Sequence, residues 1–180
     1  MNQATSVYSL LKTIGPNKSR MSVTPYDTSW LARLAELGEP LGERALDRLR
    51  EWQLPDGSWG AQLPLYYHDR LVCTLAAVVV LARQGNRSDH IRCLRAQPFL
   101  ERAVAGLGSD ATGETIGFEM IVPALLGEAE DVGFIGHQVK ARLEHLVQYR
   151  AAKLAALPHG LISRHVTVAF SAEMVGSDGL

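Results

Sequence analysis

The longest apolar stretch of the chain limits its fold more than any other feature. Residues 71–82 are apolar apart from Thr74, and the run is far shorter than the roughly 20 residues that a helix needs to cross a bilayer. A continuous apolar run without alternating polar residues is typical of a helix that is buried on all sides. The sequence therefore predicts a buried helix over about residues 70–83, with Asp69 as its N-terminal cap.

The rest of the chain mostly shows apolar residues at helical spacing, separated by Gly, Pro and short polar turns. Predicted helices cover residues 7–14, 26–37, 42–54, 89–106, 116–129 and 135–157. Pro98 marks a kink or a break in one of them. Residues 166–174 fit one more helix, although their β-branched start leaves a strand open. Helices joined by short turns predict an all-α fold in which helices pack on helices.

Charge and cysteine content exclude several classes of function. The net charge of -1 provides no electrostatic surface for nucleic acid or acidic membranes, so neither is expected as a partner. The start of the chain has no basic segment followed by an apolar run, and Cys73 and Cys93 fit reduced thiols, so we expect a cytoplasmic protein with no membrane span. The histidines are scattered without zinc-ligand spacing.

A turn with two tryptophans follows the helix predicted at residues 42–54. Residues 52–60 read Trp-Gln-Leu-Pro-Asp-Gly-Ser-Trp-Gly. Gln53 at the helix end can hydrogen-bond backbone groups of the turn, Gly57 permits a tight backbone, and Trp59 can pack across two helices. Taken alone, this string also fits any glycine-rich turn against which an aromatic side chain packs.

Four further strings stand out. Residues 24–30 read Thr-Pro-Tyr-Asp-Thr-Ser-Trp, in which Asp27 and Thr28 are candidate helix caps, while Tyr26 and Trp30 are candidate core residues. Residues 117–123 read Gly-Phe-Glu-Met-Ile-Val-Pro, and residues 67–76 contain Asp-Arg-Leu followed by Thr-Leu-Ala. Residues 170–174 read Phe-Ser-Ala-Glu-Met.

In chain order the five strings resemble motifs of the class II diterpene cyclases. Residues 24–30 are similar to S-x-Y-D-T-A-W, residues 52–60 to the QW motif and residues 67–76 to D-R-L-x-x-T-L-A. Residues 117–123 are similar to G-F-E-x-x-x-P, and residues 170–174 to the H-S-x-E segment of plant copalyl diphosphate synthases. The resemblance implies an all-α fold of α/α barrels. By analogy, residues 1–22 would be the first helix of the β domain and a linker. Residues 23–180 would be a γ-like α/α-barrel domain that need not be complete.

The resemblance also implies a reaction. Class II diterpene cyclases protonate geranylgeranyl diphosphate, and the resulting carbocation closes two rings while the diphosphate is retained. Their acid lies in a D-x-D-D motif downstream of H-S-x-E, and neither this motif nor the D-D-x-x-D motif occurs in the 180 residues. We therefore expect no catalytic residue in this chain and no cyclisation by the chain alone. A bicyclic diphosphate of halimadienyl or copalyl type is the expected product of the whole enzyme.

Candidate site residues follow from the same resemblance. Lys153, Arg164 and His165 lie where the family has basic residues that help to hold the substrate diphosphate. Asp110 and Glu114 are what remains of an acidic stretch associated with Mg²⁺, the expected cofactor, although two carboxylates on a glycine-bearing loop are as often solvated surface.

Phe170 and Ser171 form the expected product-determining segment. Phe170 stands where plant copalyl diphosphate synthases have a His that takes the final proton. Because Phe cannot accept a proton, this difference favours a rearranged halimadienyl or kolavenyl skeleton. Phe170 also fits a core aromatic.

Two interpretations stay open. The chain is either a piece of a cyclase that acts on an isoprenoid diphosphate, or a non-catalytic helical module, either a relic or a partner subunit. The first requires the missing β-domain segment or a partner chain. A squalene-type triterpene cyclase is a weaker alternative, because the strings at residues 24–30 and 117–123 argue against it.

Overall fold

The structure, a computed structural model, describes residues 23–110 and 117–155. All regular secondary structure in these two ranges is helical, which confirms the predicted all-α class. The α-helices are α1 (Pro25–Ala32), α2 (Pro40–Glu51), α3 (Tyr67–Arg83), α4 (Arg87–Gly106), α5 (Phe118–Asp131) and α6 (His137–Ala155). Short 3-10 segments at Arg33–Leu37 and Leu107–Ser109 follow α1 and α4.

Helix α3 lies at the centre of the packing. It contacts α1, α2, α4 and α5, and every residue from 70 to 81 is buried. A helix that is apolar all round gains most by packing on every side, because burial of apolar surface contributes about 25 cal/mol per Å². The predicted buried helix is therefore confirmed, and it begins a few residues earlier than predicted.

Two hydrophobic clusters flank α3. One joins α3 to α4, α5 and α6 and includes Leu75, Phe99 and Leu143. The other joins α3 to α1, α2 and α4 around the buried Trp59. Helices α1 and α2 therefore pack on one side of α3 through the second cluster, and α5 and α6 pack on the other side through the first.

Helix α1 begins at a cap supplied by Thr24. The Thr24 hydroxyl accepts a hydrogen bond from the backbone N–H of Asp27 at 3.1 Å, and Pro25 occupies the first helical turn. Asp27 and Thr28 are therefore inside the helix, and the prediction that they cap it is wrong. An N-terminal cap must precede the helix to reach its free N–H groups, which only Thr24 does here.

Two further sequence predictions about helices need correction. Asp69 lies within the first turn of α3, whereas the cap position is Tyr66, which offers no capping side chain. Of the kink or break predicted at Pro98, the break is wrong, because α4 continues to Gly106. Buried residues on both sides of Pro98, including Ala96 and Phe99, keep that helix on the core.

A buried carboxylate joins three elements. Glu128 of α5 accepts two hydrogen bonds from Arg33, at 2.8 and 3.1 Å, and one from Arg83 of α3, at 2.9 Å. The Glu128 side chain is only 8% exposed. Charge-assisted hydrogen bonds of this kind are stronger than neutral ones, so Glu128 fixes α5 against α3 and the end of α1.

Candidate functional site

A cavity of about 510 Å³ lies where α3 begins and α4 ends, beside the start of α5 and the middle of α6. Its lining combines polar and apolar side chains: His68, Val104, Leu107, Gly108, Asp110, Phe118, Arg142, His145 and Leu146. Arg142 is permanently charged and the imidazole rings of His68 and His145 offer polar nitrogens, so the cavity suits a polar group better than a purely apolar one.

Asp110 connects the lining of this cavity to α3. Its carboxylate accepts hydrogen bonds from the backbone N–H groups of Tyr67 at 3.0 Å and His68 at 2.9 Å. It also lies 2.6 Å from Nδ1 of His68. The side chains of Asp110 and His68 are 3% and 7% exposed, so this is a buried pair.

The pKa of Asp110 reflects two opposing effects. Burial raises the pKa, but the hydrogen bonds from Tyr67 and His68 favour the ionised form more strongly, and the pKa falls below its usual value. Asp110 is therefore an ionised acceptor at neutral pH.

The described residues do not fit the predicted magnesium site. Three donors already occupy the Asp110 carboxylate, whereas a metal ligand needs free lone pairs. Within residues 23–110 and 117–155, no three His, Cys, Asp or Glu side chains form a group that could hold a metal ion. Glu114, the second predicted ligand, lies outside the described residues, so the magnesium prediction stays a prediction.

Lys153 already has a partner of opposite charge. Its Nζ lies 2.6 Å from Oε1 of Glu119 and 4.7 Å from the centre of the Tyr149 ring. The hydrogen bond from Lys153 is the main reason that the pKa of Glu119 is lowered, and the same bond raises the pKa of Lys153. Lys153 thus presents a cation at Glu119 in the first turn of α5, and it is not among the residues that line the 510 Å³ cavity. The other predicted ligand and product positions, Arg164, His165, Phe170 and Ser171, lie outside the described residues.

A second cavity, of about 490 Å³, lies between the start of α1, the end of α2 and α3. Asp69 and Cys73 line it together with Trp52. Burial raises the pKa of Asp69, and burial also raises the pKa of the Cys73 thiol to about 12. At neutral pH the thiol is therefore protonated and a poor nucleophile.

The predicted roles of Gln53, Gly57 and Trp59 can be compared with their contacts. Gln53 Nε2 donates to the carbonyl of Gly57 at 2.9 Å, as predicted, and also to the carbonyl of Arg92 on α4 at 2.9 Å. Trp59 is fully buried, and its Nε1 donates to the carbonyl of Leu49 at 2.7 Å. The turn after α2 therefore joins α2 and α4.

Gly57 meets a steric requirement as well as a conformational one. Its φ is 86°, and an added Cβ would lie 2.0 Å from the carbonyl oxygen of Arg95. Only glycine avoids that contact.

The aromatic residues of the string at 24–30 lie on α1. The rings of Tyr26 and Trp30 meet edge to face, with centroids 6.2 Å apart. The guanidinium of Arg33 lies 4.3 Å from the centre of the Trp30 ring. Tyr26 packs against both hydrophobic clusters, so this string is mainly structural in the described part of the chain.

Sequence reasoning missed the pairing of His68 with Asp110. It did not assign a partner to His68, and the partner lies 42 residues away. No local spacing signals such a pair.

None of the six described helices combines the length and the hydropathy that a membrane crossing requires.

Comparison with known proteins identifies relatives with a common function. No family model matches the chain. A type B diterpene cyclase of Mycobacterium tuberculosis is 39% identical over 165 residues, which are 89% of this chain and 33% of the relative. A chloroplastic (+)-copalyl diphosphate synthase of Marrubium vulgare is 36% identical over 164 residues, which are 88% of this chain and 20% of the relative. The chain thus spans about a third or less of the length of these relatives.

Solved structures give the same result. The ent-copalyl diphosphate synthase of Arabidopsis thaliana, in complex with (S)-15-aza-14,15-dihydrogeranylgeranyl thiolodiphosphate, matches with a TM-score of 0.66 and 30% identity. Abietadiene synthase from Abies grandis matches with a TM-score of 0.67 and 26% identity. Each match covers 76% of this chain and at most 20% of the other.

Proposed function

Because the chain is a homologue of the class II diterpene cyclases over part of their length, we propose that it serves in the cyclisation of geranylgeranyl diphosphate. The proposed reaction begins with protonation of the terminal alkene and yields a bicyclic diphosphate of halimadienyl or copalyl type. The observation that carries the proposal is the 39% identity to a diterpene cyclase over 165 residues. The bound geranylgeranyl thiolodiphosphate analogue in the Arabidopsis synthase supports the choice of substrate.

The proposed contribution of this chain is binding rather than acid catalysis. Its 180 residues contain no D-x-D-D motif, so the proton must come from a group outside them. We propose that the chain alone does not cyclise the substrate and that a segment carrying the acid completes the site. In the family's domain scheme, residues 1–22 would belong to the β domain and residues 23–180 to the γ domain.

Lys153, with Arg164 and His165, is proposed to hold the diphosphate. The Lys153 side chain is 42% exposed, which supports this role. Its ammonium group has three N–H donors, and Glu119 accepts from one of them. The 510 Å³ cavity contains a second cationic side chain of the same helix, Arg142. Magnesium has no step in this proposal, because the one described ligand candidate, Asp110, is already bonded.

A chimera with the mycobacterial relative tests the proposal. The matching third of that enzyme is replaced by this chain, and the chimera is incubated with geranylgeranyl diphosphate. Products are dephosphorylated and identified by gas chromatography with mass spectrometry, beside the parent enzyme and the 180-residue chain. We expect a bicyclic product from the chimera and none from the chain alone. A folded but inactive chimera would favour the non-catalytic module instead.

A lysine pair tests the diphosphate site in the same chimera. Lys153→Met removes the proposed ligand and should raise KM by roughly tenfold, as the loss of one charge-assisted hydrogen bond predicts. Lys140→Met is the matched control, because Lys140 is also an exposed lysine on α6 in an ion pair with a glutamate. Equal KM values for the two variants would remove Lys153 from the site.

Phe170 is proposed to influence the product. Phe170→His in the chimera should move the product from a rearranged skeleton towards copalyl diphosphate, since His can accept the final proton. An unchanged product mixture would show that this position does not take part.

A further inference from the structure

Helix α3 begins without a cap from its own sequence. The first N–H groups of any α-helix have no partner within the helix, and leaving them unsatisfied in a buried place is costly. Tyr66, at the cap position, makes no side-chain capping bond. The N–H groups of Tyr67 and His68 donate instead to Asp110, which lies 43 and 42 residues further along the chain. Asp110 is thus a cap supplied from another part of the fold.

The same carboxylate also holds a side chain of the cavity wall. Oδ2 of Asp110 lies 2.6 Å from Nδ1 of His68, and the His68 ring packs edge to face on Phe118 with centroids 4.6 Å apart. Because an ionised carboxylate can only accept, the proton of this hydrogen bond lies on Nδ1 of His68. Asp110 therefore sets both the ring orientation and the tautomer of His68.

These bonds leave little capacity for a metal. A carboxylate has about four lone-pair positions, of which three are in use here. The one remaining position allows a single monodentate contact, whereas Mg²⁺ needs near-octahedral oxygen ligands at about 2.0–2.1 Å, and the described residues hold no group of three side chains that could bind a metal ion. A bidentate metal contact at Asp110 would displace one of the hydrogen bonds that cap α3 or hold His68.

We propose that Asp110 is a positioning residue, not a magnesium ligand: it caps α3 and fixes His68 at the wall of the 510 Å³ cavity. This role is independent of the proposed cyclase function, because it rests only on contacts within the described chain. The family resemblance implies that Asp110 binds magnesium. We infer that its carboxylate accepts hydrogen bonds from α3 and His68 in place of that metal contact.

Substitutions at Asp110 in the 180-residue chain test whether this residue caps α3. Asn keeps an acceptor oxygen and is a good capping residue, whereas Glu keeps the charge but is longer and Ala has neither. A cap predicts that Asp110→Asn lowers Tm less than Asp110→Ala and Asp110→Glu, with Ala costing roughly 4–8 °C. Asp131→Asn, at an exposed acid of α5, is the control and should leave Tm within about 1 °C. An Asp110→Ala variant as stable as the wild type would overturn the proposal.

Two further measurements take their main reading from the wild-type chain. Nitrogen-15 NMR of the His68 ring, assigned by comparison with His68→Gln, should show the Nδ1–H tautomer. The Nε2–H tautomer would contradict the proposed bond. Thermal melting with millimolar Mg²⁺ should match melting with potassium chloride of equal ionic strength. A Mg²⁺-dependent rise in Tm that disappears in Asp110→Asn would show that Asp110 is a metal ligand after all.

Discussion

Replacing Glu128 by Gln gives the most direct test of how the helices are held together. The carboxylate of Glu128 accepts three hydrogen bonds, two from Arg33 and one from Arg83, at 2.8 to 3.1 Å. The three side chains are 8%, 15% and 27% exposed, so solvent screens these charges only in part. Gln keeps the shape but removes the charge, and its amide nitrogen faces a guanidinium that can only donate.

The expected loss is large for one side chain. Breaking a buried ion pair by removing one partner costs about 3–5 kcal/mol, because the remaining charge loses its compensation. Here Arg33 loses its carboxylate partner, while Arg83 keeps a longer contact to Glu36 at 3.8 Å. For a domain of this size each kcal/mol lowers Tm by about 2–4 °C, so Glu128→Gln should lower Tm by roughly 6–20 °C. Circular dichroism at 222 nm during heating measures this directly, and urea unfolding gives the free energy of unfolding.

A neighbouring glutamate provides the control. Glu130 lies two residues further along α5, and its ion pair with Lys140 is exposed. Exposed pairs contribute little, so Glu130→Gln should change Tm by no more than about 1 °C. If Glu128→Gln and Glu130→Gln have the same Tm, the three hydrogen bonds do not stabilise the fold as inferred, and α5 is held by apolar contacts alone.

Three further predictions concern the turn after α2 and the thiols. Gly57→Ala should destabilise the chain far more than Gly133→Ala in thermal melting, because both glycines have positive φ but only Gly57 lacks space for a Cβ; equal losses would refute the packing argument. Burial raises the pKa of Asp56, but hydrogen bonds from its neighbours outweigh this and hold the pKa below its usual value. Stability from Asp56 is therefore present above the unfolded-state pKa and is lost as pH falls through the folded-state pKa, so Asp56→Asn should flatten the acid side of a plot of unfolding free energy against pH. Cys73 and Cys93 are buried with pKa values raised to about 12, so the native chain should not react with iodoacetamide at neutral pH until denaturant is added.

Local sequence signals predicted the helices well because helix formation depends on spacing. Apolar residues at helical intervals and Gly or Pro at the ends marked each described helix to within a few residues. The continuous apolar run at residues 71–82 predicted that α3 would be buried, since no other arrangement removes that much apolar surface from water. Gln53 and Gly57 were predictable for the same reason, because their first partners lie within the turn itself.

Partners distant in sequence were not predictable. Glu128 belongs to an acidic run, Glu-Ala-Glu-Asp at residues 128–131, that resembles a solvated surface, yet it is buried between Arg33 and Arg83. Asp110 was expected to be a loop acid near a metal, and no sequence pattern indicated that it caps α3. The roles of Arg164, His165, Phe170 and Ser171 stay predictions of the family resemblance.

The sequence by itself determined the helical class, the burial of α3 and the family, because these depend on composition, periodicity and ordered motifs along the chain. Only the tertiary structure decided which charged side chains are buried and what they bind. Residues that are adjacent in sequence share one set of local spacings, but His68 and Asp110 meet only because α4 returns along α3 to the start of that helix. A carboxylate caps a helix, pairs with buried arginines or stays solvated at the surface according to the donors that folding brings to it. No local sequence pattern contains that information.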